Sequence, residues 1–182
     1  MSFTSLQGKL LIASPALLDP NFVRTVVLIT EHSEEAAMGL VLNRPTSIAV
    51  RDAVPILAEL VVAEEPVYEG GPVQPEAVVA LAEFDDPNDS AAIAFGRIGF
   101  LRADEDPGTI RTVEQHVRVF CGYAGWGAGQ LEDELEQEAW IVAPALAVDL
   151  FPGFPDLWRA SLRRLGGRHA MLALMPDDPS SN

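Results

Sequence analysis

Few residues in this chain have the types and spacing needed for acid, base or anion chemistry, and Glu31-His32 is the most suggestive pair. The apolar runs on either side of it carry Arg24 and Arg44, so a histidine, a carboxylate and two guanidinium groups could converge there. Glu31, His32 and Arg44 are the group that an enzyme reading would use. An exposed loop histidine is more often solvated than catalytic, however, and neither His116 nor His169 stands at metal-ligand spacing from His32. Geometry sets a further condition on the group. If the two runs form a tight hairpin, His32 lies roughly 15 Å or more from Arg44 at ~3.4 Å per strand residue. One pocket holding Glu31, His32, Asn43 and Arg44 therefore needs a long loop or a bend, and two separate sites are the alternative.

Glycines mark two more segments. Gly122, Gly125, Gly127 and Gly129 crowd the run CGYAGWGAGQLEDE, which reads as a strand-to-helix junction needing positive φ or close backbone approach. Such a junction can cradle a phosphate. Here GxGxxG and GxxxxGK[ST] are both missing, and the helix opens on Glu132, Asp133 and Glu134, which repel an anion. A tight structural turn is the better reading, in which replacing Gly125 or Gly127 by Ala would cost about 1 kcal/mol or more if φ is positive there. Gly70-Gly71-Pro72 reads as a tight turn that could also approach a ligand. No GxSxG nucleophile motif occurs. Cys121 falls inside an apolar strand, the setting of a buried, inert thiol.

The elements that must position these residues are short. Strands are expected over 8–14, 22–30 and 38–43, the second too apolar for a surface strand and so central in its sheet. The last two are separated by a polar loop over 31–36 and form an antiparallel pair. Asp52 caps a helix running to about Leu60, with Pro55 in its first turn. Further strands are expected over 66–68, 78–83, 98–102, 117–123 and 139–143, with acidic loops at 85–89 and 104–108. Helices are expected over 130–138 and from a cap at Asp156 to Gly166-Gly167, then a final strand over 170–174 and a frayed tail from about 176. Strands gathered early and helices late argue for an α+β domain, and no repeat or linker divides the 182 residues.

Composition narrows the function classes. Hydrophobic residues make up 48% and charged residues 21%, as in an ordinary folded protein. Twelve basic against twenty-seven acidic residues leave a net charge of −15, which repels phosphate backbones, so no nucleic acid partner is expected. The basic cluster Arg159, Arg163, Arg164 and Arg168 reads as the solvated side of an amphipathic helix. A single cysteine permits no internal disulfide. The apolar stretches are about half the roughly 18 residues that a membrane span needs, so no membrane role is expected and the setting is cytoplasmic.

The segments LLIASPALLDPNFVRTVVLITEH, MGLVLNRP, YEGGPV and GYAGWGAGQLEDE, in this order, resemble the YqgE/AlgH family of bacterial proteins of uncharacterised function. The resemblance runs from Gly8 to the helix at Leu157–Leu165. It implies an α+β fold with a mixed, largely antiparallel, partly barrel-like sheet surrounded by helices, in a bacterial cytosolic protein. Some members carry the label of transcriptional regulator, which the charge and the lack of a helix-turn-helix pattern here disfavour. The family brings no established catalytic residues. Its motif positions and the glycine run give the candidate ligand-binding set Arg24, Glu31, His32, Asn43, Arg44, Gly70, Gly71, Gly125, Trp126, Gly127 and Gln130. The leading expectation is a non-enzymatic regulatory or ligand-binding domain for a small molecule or protein, with neither cofactor nor metal.

Overall fold

The computed structural model describes residues 2–177. β1 (Lys9–Ala13), β2 (Val26–His32) and β3 (Ala36–Val41) are successive antiparallel neighbours, and β10 (Trp140–Pro144) flanks β1. Leu10–Ala13 of β1 and Val26–Thr30 of β2 are buried on both faces. Leu10, Ile12, Val26 and Leu28 enter one core, and Leu11, Ala13, Val27 and Ile29 enter another. The two-residue period of a strand explains why these runs are continuously apolar: each face has its own core to fill. The expected strand over 22–30 begins only at Val26, because residues 20–24 form the turn.

The second half of the sheet hangs on β9 (Thr112–Gly127), which pairs with β3 through Gly125, Trp126 and their neighbours and with β6 (Val73–Phe84) over most of its length. β8 (Ile98–Phe100) and β7 (Ile93–Phe95) continue beyond β6. β4 (Pro45–Ala49) pairs with β5 (Pro66–Glu69), and β5 runs parallel to β9, which makes a largely antiparallel sheet mixed. The sheet curls: Gly8 faces Phe95, and the Gln7 side chain donates to the Ile93 carbonyl at 2.9 Å. No ladder joins β10 to β7 among the described residues, so the curl does not close into a barrel.

Helices are few. α1 (Val50–Ala53) starts before Asp52 and gives way at Val54 to a 3-10 helix over Pro55–Leu60, so the expected capped helix is broken. The proline ring disfavours an α conformation in the residue before it, and Val54 adopts φ −137°, ψ 68°. α2 (Gln130–Glu136) follows β9. α3 (Leu157–Leu165) is capped as expected, with the Asp156 carboxylate accepting from the Arg159 backbone N–H at 3.0 Å and the helix stopping at Gly166, φ 70°. The expected last strand is instead α4 (Gly167–Leu172). The run AMLAL has no period of its own, and here Ala173 is buried while Met171 and Leu174 face outward. The part of the expected frayed tail over 178–182 lies outside the described residues. No helix among the described residues is long and apolar enough to cross a membrane.

Candidate functional site

The β2–β3 hairpin decides whether the polar candidates meet. Its register sets His32 opposite Ala37 and Val27 opposite Val41, leaving only residues 33–35 in the turn. Glu31 and His32 thus belong to β2 rather than to a loop. From Ala37 to Val41 the strand covers roughly 14 Å at ~3.4 Å per residue, and Asn43 and Arg44 lie further on. Arg44 therefore does not join Glu31 and His32, and the single cluster imagined for an enzyme is not assembled.

At the near end, the polar groups hold backbone. Asn43 accepts from the Val26 N–H and donates to the Arg24 carbonyl, both at 2.9 Å. The Arg44 guanidinium donates to the carbonyls of Asn21 (2.7 Å), Pro20 (2.9 Å) and Val23 (3.3 Å), tying down the turn before β2. Arg24, at φ 52° in that turn, lies 4.4 Å over the Trp158 ring and pairs with Asp177 at 3.0 Å. It also donates to the carbonyls of Met175 and Pro176. These arginines act as clamps.

At the far end, His32 is also committed. Its side chain is only 3% exposed. Nδ1 accepts the Leu6 N–H at 2.9 Å, so the ring proton sits on Nε2, which donates to Glu132 at 2.9 Å. Phe3 meets the ring edge-on, with centroids 4.8 Å apart. Neither nitrogen keeps a lone pair for a general base, and the expected solvated loop histidine is a buried strut. Around it opens a cleft of about 620 Å³ lined by Gln7, Glu31, Met38, Tyr123, Gly125 and Trp126, among others. Four candidates, Glu31, His32, Gly125 and Trp126, thus share one concavity.

Trp126 and Gln130 belong to a polar knot beneath this cleft. One Glu134 oxygen accepts from both indole N–H groups, Trp126 at 2.9 Å and Trp140 at 2.8 Å, and the other accepts from the Gln130 amide at 3.1 Å. Gln130 in turn accepts from the Gly127 N–H. The acid that the sequence reading set against an anion is the centre that locks α2 onto β9. Gly125 and Gly127 do not have positive φ, so the condition for a backbone cost is not met at either. The left-handed glycines of this run are Gly122 (φ 71°) and Gly129 (φ 74°). Gly70 and Gly71 lie against backbone: Gly70 bridges the strands, donating to the Cys121 carbonyl and accepting from Val41, both at 2.8 Å. A Cβ on Gly70 would lie 2.3 Å from the Gly122 oxygen.

Arg118 was not singled out from the sequence, although it is the lone charge in the apolar run VRVFCGY. Val117 and Val119 fill the core behind β6, so the strand alternation turns Arg118 the other way, with Phe120. It is 5% exposed. Its guanidinium lies 4.3 Å over the Tyr68 ring and donates to the carbonyls of Leu150 (2.6 Å) and Leu42 (3.4 Å), while Nε is enclosed without an acceptor. Burial pulls its pKa below the usual value, against the pull of Tyr68 and Glu65, and burial likewise raises both of those groups.

Residues 10–170 match the model of the AlgH-like family. The chain belongs to the AlgH-like family. A UPF0301 protein of Streptomyces coelicolor is 43% identical over 186 residues, covering 98% of this chain and 96% of that relative. One from Mycobacterium marinum is 40% identical over 96% of this chain and 90% of its own. The crystal structure of protein DIP2367 from Corynebacterium diphtheriae superposes with a TM-score of 0.86 at 30% identity, over 96% of this chain and 95% of that one. The solution structure of the AlgH protein from Pseudomonas aeruginosa follows at a TM-score of 0.69 and 31% identity, over 98% and 100%. The family likeness therefore spans both ends of the hairpin, the glycine crossing and Arg118.

Proposed function

We propose that this AlgH-like protein is a non-enzymatic binding domain whose ligand occupies the cleft at the His32 end of the hairpin. The observation that carries the reading is the coincidence of an open cleft of about 620 Å³ with a histidine whose two ring nitrogens are both spent on the protein itself. A wall built from committed polar groups suits holding a molecule better than transforming it. Met38, Tyr123 and Trp126 offer apolar surface, and Glu31 is the charged group at the opening, so the ligand is a small neutral or cationic molecule with an apolar body. A cytoplasmic setting is part of the proposal, supported by a single cysteine that permits no internal disulfide.

Native mass spectrometry of the freshly purified protein, followed by a thermal-shift screen of neutral and cationic compounds, tests this. A bound molecule is expected to raise the melting temperature, and Gly125→Phe, which fills the cleft from an exposed position where an added Cβ meets only ordinary contacts with Tyr123 and Val73 at 3.7 and 3.8 Å, is expected to abolish the shift. Recovery of substrate and product pairs would replace the binding reading with an enzymatic one. A ligand whose binding survives Gly125→Phe would remove the cleft as its site.

A further inference from the structure

Arg118 is a buried cation that the binding cleft does not use. A guanidinium offers five N–H donors. Two of those on Arg118 meet backbone carbonyls, Nε–H has no partner, and no carboxylate forms an ion pair with the group among the described residues. Carbonyls and the Tyr68 ring soften the cost of burying the charge but do not neutralise it. The neighbouring backbone makes room for the group: Gly153, at φ 82°, would place a Cβ 3.0 Å from the Arg118 Nη2 atom.

Arg118 lines a cavity of about 320 Å³ at the opposite end of the hairpin from the His32 cleft. Leu157, the first residue of α3, also lines it. The cap at Asp156 takes up the Arg159 N–H, whereas the N–H groups of Leu157 and Trp158 have no backbone acceptor among the described residues. The helix dipole adds positive potential at that end. One carboxylate, Asp149, also borders the cavity, but its charge is already spent. Arg164 grips both of its oxygens at 2.7 and 3.0 Å, and the Leu146 N–H donates a further hydrogen bond to it at 2.8 Å. This also corrects the reading of Arg164 as merely solvated. The remaining walls are largely apolar: Pro45, Tyr68, Pro152, Phe154 and Pro155.

We propose that this cavity is a second binding site, which takes a small organic monocarboxylate with its carboxylate on Arg118 and the N-terminus of α3 and its apolar body against the proline and aromatic walls. A single positive charge without an ion-pair partner, on which Glu65 acts only from beyond ion-pair distance, matches a monoanion. A phosphate dianion would bring a second charge that nothing in the cavity balances, in a chain already at −15.

The test is titration of the full chain with sodium butyrate, sodium benzoate and inorganic phosphate at constant ionic strength, followed by calorimetry and by ¹⁵N-resolved NMR of the arginine side chains. The carboxylates are expected to bind and to shift the Arg118 Nε–H and the Leu157 amide, while phosphate does not. Arg118→Met is expected to weaken carboxylate binding about tenfold or more, the usual effect of removing a charged hydrogen-bond donor. Gly125→Phe is expected to leave it unchanged, which separates this site from the cleft proposed above. Should Arg118→Met fail to fold, the wild-type NMR titration still decides. Phosphate binding in preference to the carboxylates overturns the assignment of the ligand. No shift at Arg118 with any of the three probes makes the residue a strut between Leu42 and Leu150, and the site falls.

Discussion

Gly71 and Gly122 meet where the chain leaving β5 slips between β3 and β9, and there a single methyl group has nowhere to go. A Cβ on Gly71 would stand 2.2 Å from the Tyr123 carbonyl carbon, and one on Gly122 would stand 2.4 Å from the Gly71 oxygen, at a left-handed φ of 71°. Alanine at Gly122 therefore pays twice, about 1 kcal/mol for the backbone and roughly 1–3 kcal/mol for the overlap. Gly122→Ala and Gly71→Ala are each expected to lower stability by at least about 2 kcal/mol in urea denaturation. Gly127→Ala, with nothing within 4 Å of its added carbon, is expected to stay within about 0.5 kcal/mol of wild type. Equal midpoints for Gly122→Ala and Gly127→Ala would show that the crossing is not as tight as drawn. The density of glycines announced a demanding backbone, but which glycines carry the demand depends on a partner segment some fifty residues away, Gly70-Gly71, and no local pattern encodes that. His32 and Arg118 differ in the same way: the first looked reactive because its partners Leu6 and Glu132 are remote in sequence, and the second was passed over because its strand looked like plain core.

Among the elements, the strongly periodic and well-punctuated ones were legible. The β2–β3 pair, the Asp156 cap and the Gly166 stop of α3 are each set by a few neighbouring residues. β9 was legible only in its middle. Its ends, Thr112–Gln115 and Gly125–Gly127, hold few large apolar side chains and are strand only because β6 and β3 lie alongside. The tiny β7 is likewise specified by β8 rather than by its own three residues. Asp156 carries a prediction at this scale. Burial alone would raise its carboxyl pKa, but hydrogen bonds from the Arg159 backbone and side chain outweigh that and hold it below the ordinary value. A group whose pKa is depressed on folding stabilises above its unfolded pKa, near 3.9, and loses that contribution as pH falls through the lower folded value. Asp156→Ala is therefore expected to cost about 1 kcal/mol at neutral pH, the usual worth of an N-cap. The gap from wild type should narrow below about pH 4. Urea titrations at pH 7 and pH 3 check both; a gap that widens in acid would reverse the assigned direction.

At the scale of the whole molecule, charge decides which partners the surface admits. A net charge of −15 is spread over a chain whose largest basic cluster, on α3 and α4, is already partly consumed: Arg159 pairs with Asp156 at 2.7 Å and Asp177 at 2.9 Å, and Arg164 is gripped by buried Asp149. Sequence-independent binding to DNA arises from cations that displace counterions from consecutive phosphates, and its salt dependence counts them. Two of the four clustered arginines here would have to abandon a carboxylate before touching a phosphate, and the surrounding acids would repel the next one along. α3 is also no free reading helix, because Leu157, Trp158, Ser161 and Leu162 are buried against the sheet and the Trp158 indole donates to the Ala13 carbonyl at 2.8 Å. Anisotropy titration of a short labelled duplex at physiological salt is therefore expected to show no saturable binding. Tight binding that collapses as salt is raised would mean that α3 and α4 rearrange to release their arginines, and it would return the family's regulator label to this chain as a direct DNA-binding role.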